Sequence, residues 1–213
     1  MTGHELFEQA HRLLKQSNSA HNIAAAADLM REAADRGHAG AANNYGAMLQ
    51  NGLGLSPDLR AARHYYELAA SGGLPAGQFN LGFMWLEGLG GDQDVAEARR
   101  LFERAGAGDD SDALTHLGRM AMTGQGGPQD FAAARAYWQK GAHLGDSRCA
   151  FNLGVASAGG HGAPPDFQRA FAWFMKACDL GNRQAASELR KLAAVMDDTE
   201  LAAARKLKAG LDG

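Results

Sequence analysis

Two cysteines among 213 residues, Cys149 and Cys178, are too few for a disulfide framework and stand at no metal-ligand spacing, so both are expected as free thiols. No block of Lys and Arg occurs and the formal net charge is −3, which removes the basic footprint that nucleic acid or an anionic membrane requires. No apolar run reaches the roughly 18 residues that span a bilayer, so no membrane insertion is expected. The opening MTGHELFEQAHRLLK is amphipathic and charged, unlike a secretory signal. The expected compartment is the cytoplasm, or the periplasm if a signal has been removed. Among the eight histidines there is no HExxH spacing, no GxSxG elbow is present, and no Lys-Ser/Thr follows the glycine-rich loops. The chain therefore reads as a non-enzyme without metal or cofactor.

Aromatic residues are scarce at 8%, but glycine, with 28 residues, is not, and its placement is regular. Gly46, Gly82, Gly118 and Gly154 stand 36 residues apart, as do Gly52, Gly88, Gly124 and Gly160. A fixed period of this size marks an array of supersecondary units. Four copies occupy 39–73, 75–109, 111–145 and 147–181, after a weakened copy over 3–37 and before a capping helix pair over 183–209. The whole, 1–213, reads as one array.

Each copy divides in the same way. A first helix carries a bulky residue followed by glycine: Tyr45-Gly46, Leu81-Gly82, Leu117-Gly118 and Leu153-Gly154. Glycine inside a helix costs about 0.5–1 kcal/mol relative to alanine, so four in register imply close approach by a partner helix. The loops GLGLSPD, GLGGDQD, GQGGPQD and GHGAPPD follow, ending in Asp58, Asp94, Asp130 and Asp166, each placed to cap a second helix. The second helix carries Ala62, Ala98, Ala134 or Ala170. Bulky pairs come next, Tyr65-Tyr66, Leu101-Phe102, Tyr137-Trp138 and Trp173-Phe174, expected to fill the space between neighbouring repeats. At the start, a helix over His4–Gln16 precedes the breaker SNSAHN, with Asn22 expected to cap the next helix. At the end, helices are expected over Arg183–Val195 and from Asp197 to near Lys208. The acidic cluster Asp109, Asp110 and Asp112 falls at an inter-repeat turn, where capping explains it.

Leu-Gly, a Gly-x-Gly loop, Asp with Ala four residues later, an aromatic, and Ala-Ala before Gly together resemble the Sel-1-like repeat, a relative of the tetratricopeptide repeat. Cys149 to Gly181 is the nearest copy to that pattern. The resemblance covers nearly the whole chain. It implies an all-α fold, a right-handed α-solenoid of antiparallel helix pairs, in a bacterial adaptor that binds proteins and has no catalytic residues. Gly91, Gly127 and Ala163 depart from the pattern where a hydrophobic residue is usual, which predicts looser loops. Some secreted members pair a cysteine at position 178 with one eight residues on; that position here is Ala186, so the bridge is not carried over.

In tetratricopeptide-like stacking the first helices line a concave face. The columns left over once the Leu-Gly side is buried hold Asn44, Asn80, His116 and Asn152; then Phe83, Arg119 and Val155; then Met84 and Met120, with Glu87 near the end of its helix. Asn amides both donate and accept, as the backbone of an extended peptide requires, and methionines give an adaptable apolar floor. A simpler role for both is bonding and packing within the stack. The expected function is a monomeric adaptor that takes a peptide or protein segment in this groove. The alternative is an inhibitor or immunity protein that blocks a cognate enzyme.

Overall fold

The structure is a computed structural model that describes residues 1–17 and 19–211. Among the described residues it has twelve helices and no strand. They are α1 (Gly3–Gln16), α2 (Ala20–Asp35), α3 (Ala39–Asn51), α4 (Leu59–Ser71), α5 (Pro75–Glu87) and α6 (Val95–Ala107), then α7 (Ser111–Thr123), α8 (Phe131–His143), α9 (Ser147–Ala158), α10 (Phe167–Asp179), α11 (Ala185–Ala193) and α12 (Asp198–Gly210). Among the described residues no helix is long and apolar enough to cross a membrane.

The helix boundaries follow from capping chemistry. Gly52 and Gly88 end α3 and α5 in the left-handed region, at φ 68° and 66°, which a side chain would strain. The carboxylates that close each loop accept amide hydrogens from the first turn of the next helix. Asp58 accepts from Ala61 at 3.0 Å, Asp94 from Glu97 at 2.9 Å, Asp130 from Ala133 at 2.9 Å and Asp166 from Arg169 at 2.8 Å.

Two ends differ from expectation. Ser19, not Asn22, caps α2, accepting from the Asn22 amide at 3.2 Å. Asn22 lies one turn inside, and its side chain donates to the Leu13 carbonyl, tying α2 to α1. Asn18 of the expected breaker lies outside the described residues. α11 starts later than Arg183 because Asn182 accepts from the amides of Gln184 and Ala185. α12 begins as expected, with Asp197 and Glu200 forming a reciprocal capping box.

The helices group into two compact units, Met1–Asp110 and Ser111 onward. In the first, α1 packs on α2, α3 on α4 and α5 on α6, with successive pairs in contact. The repeated glycines show why the pairs are close. A Cβ at Gly46 would lie 2.9 Å from the Tyr66 ring, and one at Gly82 would lie 2.9 Å from Phe102. Tyr66 and Phe102 thus press on the first helix of their own repeat, and Tyr66 also shares a buried cluster with Leu81 and Met84 of the next. Arg63 of α4 reaches into the next repeat, donating to the Asp92 carbonyl at 3.2 Å with its guanidinium 3.4 Å from the Trp85 ring centre.

The second unit repeats these devices. A Cβ at Gly118 would fall 2.1 Å from Trp138 Nε1, and one at Gly154 2.5 Å from Phe174. Arg135 of α8 donates to the His161 carbonyl in the following loop at 2.6 Å. The loops at Gly91 and Ala163, expected to be looser, are therefore each held by an arginine from the preceding second helix. α11 and α12 both pack on α10, so its outer side is covered.

Candidate functional site

In the first unit, α3 and α5 lie side by side and bring Asn44 and Asn80 into one row of amides. Asn80 Nδ2 donates to Asn43 Oδ1 at 2.9 Å, and Asn43 Nδ2 to Asn44 Oδ1 at 3.5 Å. The partner of Asn80 is a side chain of the preceding repeat and not its backbone. Asn43 was not among the expected site residues. At one end of the row Asn44 borders a groove of about 280 Å³ walled by Leu14, Ile23, Ala47, Met48 and Leu53, the last half exposed. On α5, Asn80, Phe83 and Glu87 share a stripe by helical spacing; Phe83 is half-buried and Glu87 exposed.

In the second unit, His116 and Arg119 stand one turn apart on α7, with Arg119 Nη2 3.1 Å from His116 Nδ1. Beside them on α9 are half-buried Asn152 and, three residues on, Val155, which is 42% exposed. Arg148 of α9 bonds Asp112 of α7 at 2.6 Å and also reaches Asp146, fixing the two first helices against each other.

Met84 and Met120 require a correction. Both are fully buried, so neither offers a floor to a ligand. Each follows a core leucine, Leu81 or Leu117, by three residues, and that spacing turns it to the same inward face.

The electrostatics favour neutral groups. Burial first, and then the Arg119 charge, hold the His116 pKa below the ordinary 6.5. Its ring is expected to titrate with a midpoint below 6.5 when followed by proton–carbon NMR; a midpoint at or above that value would remove the burial argument. Folded His116 binds a proton less readily than the unfolded chain. Its contribution to stability is therefore intact above about 6.5 and is lost as pH falls through the folded value.

Burial pushes the Tyr66 phenol up to about 12, and burial with the Asp35 carboxylate does the same for Tyr65, so both remain hydrogen-bond donors. Both cysteines are free thiols. Cys149 is fully buried beside Thr115, and burial raises its pKa to about 11, the opposite of what a nucleophile needs. Among the described residues no three His, Cys, Asp or Glu side chains converge as a metal site. Amides, a guanidinium, a neutral imidazole and apolar surface are groups of recognition, suited to contacting another chain.

Sequence comparison matches the Sel1 repeat over residues 10–38, 39–74, 75–110, 111–146 and 147–182. A search of curated proteins gives no match. Among solved structures, a Sel1 repeat protein from Oxalobacter formigenes is 28% identical with a TM-score of 0.72, covering 76% of this chain and 67% of that one. The protective antigen c5321 of uropathogenic Escherichia coli, which displays an SLR fold, is 25% identical with a TM-score of 0.86. The similarity covers 98% of this chain, which spans only 46% of that one. Immunity protein Pa5087 from Pseudomonas aeruginosa is 17% identical with a TM-score of 0.59, over 99% of this chain and 82% of that one, a likeness of fold alone.

Proposed function

The chain belongs to the Sel1 repeat family of helical repeat scaffolds, which generally mediate protein–protein interaction, and we propose that it is a non-enzymatic adaptor whose first-helix faces hold a peptide or protein segment. The amide row Asn80, Asn43 and Asn44 at the mouth of an apolar groove carries this reading. An extended peptide presents alternating amide hydrogens and carbonyls, which Asn side chains satisfy in both senses, while its side chains enter the groove. Phe83 and Glu87 extend that surface along α5. In the second unit His116, Arg119, Asn152 and Val155 offer a separate set of polar and apolar groups on the first helices. The acidic net charge and the lack of a basic block favour a protein partner over nucleic acid.

The test is affinity capture with the full chain, identification by mass spectrometry, and calorimetry of the purified pair. Phe83→Ala and Arg119→Glu are each expected to weaken binding by about tenfold, a cost of roughly 1.4 kcal/mol, with the helical circular dichroism spectrum retained. Unchanged affinity in both variants would remove the first-helix assignment. If the partner is an enzyme that loses activity at one-to-one stoichiometry, the protein is an inhibitor and not an adaptor.

A further inference from the structure

A trough in the second unit is lined by none of the first-helix residues named above as contacts. Two hollows of about 700 and 330 Å³ adjoin at Gln139, Arg169 and Trp173, the larger lined by α8, α10 and α12 and the smaller by α8, α9, α10 and the loop before α10. Its accessible apolar lining is Leu207, which is 43% exposed, and half-buried Leu211, with only a thin strip of Trp173 showing between them. Its walls carry Arg135, Arg169 and Lys206 against one carboxylate, Asp166. That carboxylate is already engaged, capping α10 through the Arg169 amide and lying 3.6 Å from the Arg169 guanidinium. On a chain of net charge −3 this is a local excess of positive charge over an apolar floor.

We propose that this trough docks an acidic segment of a partner protein, in which Asp or Glu side chains flank an apolar residue. The apolar side chain would rest on Leu207 and Leu211. The carboxylates would meet Arg169 and Lys206, where guanidinium and ammonium groups make charge-assisted hydrogen bonds. The joined hollows extend from Arg135 on α8 to Lys206 on α12, a length suited to a short extended segment. Three cations spread over that length are too few to track a nucleic acid backbone, and they match a short acidic peptide in number. The partner chemistry stated here is independent of the first-helix reading, since no residue is shared.

The test is selection of a random twelve-residue phage-displayed library on the full chain, followed by fluorescence anisotropy with the selected peptides made synthetically. Peptides carrying Asp or Glu around an apolar residue are expected, and Arg169→Glu with Lys206→Glu is expected to weaken them at least tenfold. Their binding should also fall as salt rises. Arg169→Gln with Lys206→Gln provides the second pair, because a glutamate at 169 faces the Asp166 cap directly; it is expected to weaken binding less, in the same direction. The proposal is overturned if no selected peptide depends on these residues, or if those that do carry no acidic side chain. Peptides that respond only to Phe83→Ala or Arg119→Glu also count against the trough while supporting the first-helix surface, so the two readings fail separately.

Discussion

Gly118→Ala is expected to lower the stability of the protein by about 2 kcal/mol, although alanine is the better helix former. The propensity gain is about 0.5–1 kcal/mol in favour of the variant. Against it, the new Cβ would stand 2.1 Å from Trp138 Nε1 and 2.4 Å from Cδ1, so the buried indole must move by more than an ångström. Moving it also disturbs the bond from Trp138 Nε1 to the Thr115 carbonyl, now 3.3 Å. Overpacking of a well-filled core costs about 1–3 kcal/mol, occasionally more, and an indole whose polar end loses its acceptor adds to that. Gly82→Ala is the internal control. There the nearest ring atoms of Phe102 are 2.9 Å away, so a small ring shift suffices and the net change should lie within about 1 kcal/mol of zero. Urea denaturation of the full-length variants measures both. Equal midpoints for Gly118→Ala and Gly82→Ala would mean that the contact geometry does not set the cost.

The 36-residue step made most of the frame legible, because each repeated residue answers to local physics. Asp58, Asp94, Asp130 and Asp166 cap because a short carboxylate before a helix accepts its free amides, and Gly52 and Gly88 terminate because their φ is positive. The glycines at 46, 82, 118 and 154 are where they are because a large ring presses on each. Met84 and Met120 were legible too, but through the period of one helix and not through the repeat. Three residues after a core leucine is the same face, whereas Asn80, Phe83 and Glu87 follow the other stripe. Arg63 and Arg135 recur two steps apart, with Arg99 between them, so the sequence carried a signal for the loop clasps. Their targets could not be read, since the accepting carbonyls belong to Asp92 in one case and His161 in the other. The bond from Asn80 to Asn43 links residues 37 apart, one off the period, and depends on how the two first helices are rotated. The trough in the second unit was hidden for a related reason: α12 has no counterpart in the repeats, and only its docking on α10 brings Lys206 and Leu207 opposite Arg169.

Phe102→Ala should be the most damaging single truncation in the first unit, costing about 3–5 kcal/mol. The side chain is fully buried, and the helix facing it has no side chain at Gly82 that could fill the gap. Phe79, whose ring centre is 5.6 Å away, is an aromatic group able to swing inward, and the size of the loss measures how far it does so. The same geometry predicts a sign reversal. In the native background Gly82→Ala crowds Phe102 and gains little, but in the Phe102→Ala background the ring is gone, only the Ala98 carbonyl at 3.2 Å still presses on the methyl, and most of the helix propensity gain is realised. Adding Gly82→Ala to Phe102→Ala should therefore recover about 1 kcal/mol. The four proteins form a double-mutant cycle, read from urea midpoints, and its coupling energy should favour the double variant. A coupling of zero would mean that residues 82 and 102 do not share a space, and that the glycine register has some cause other than the ring it faces.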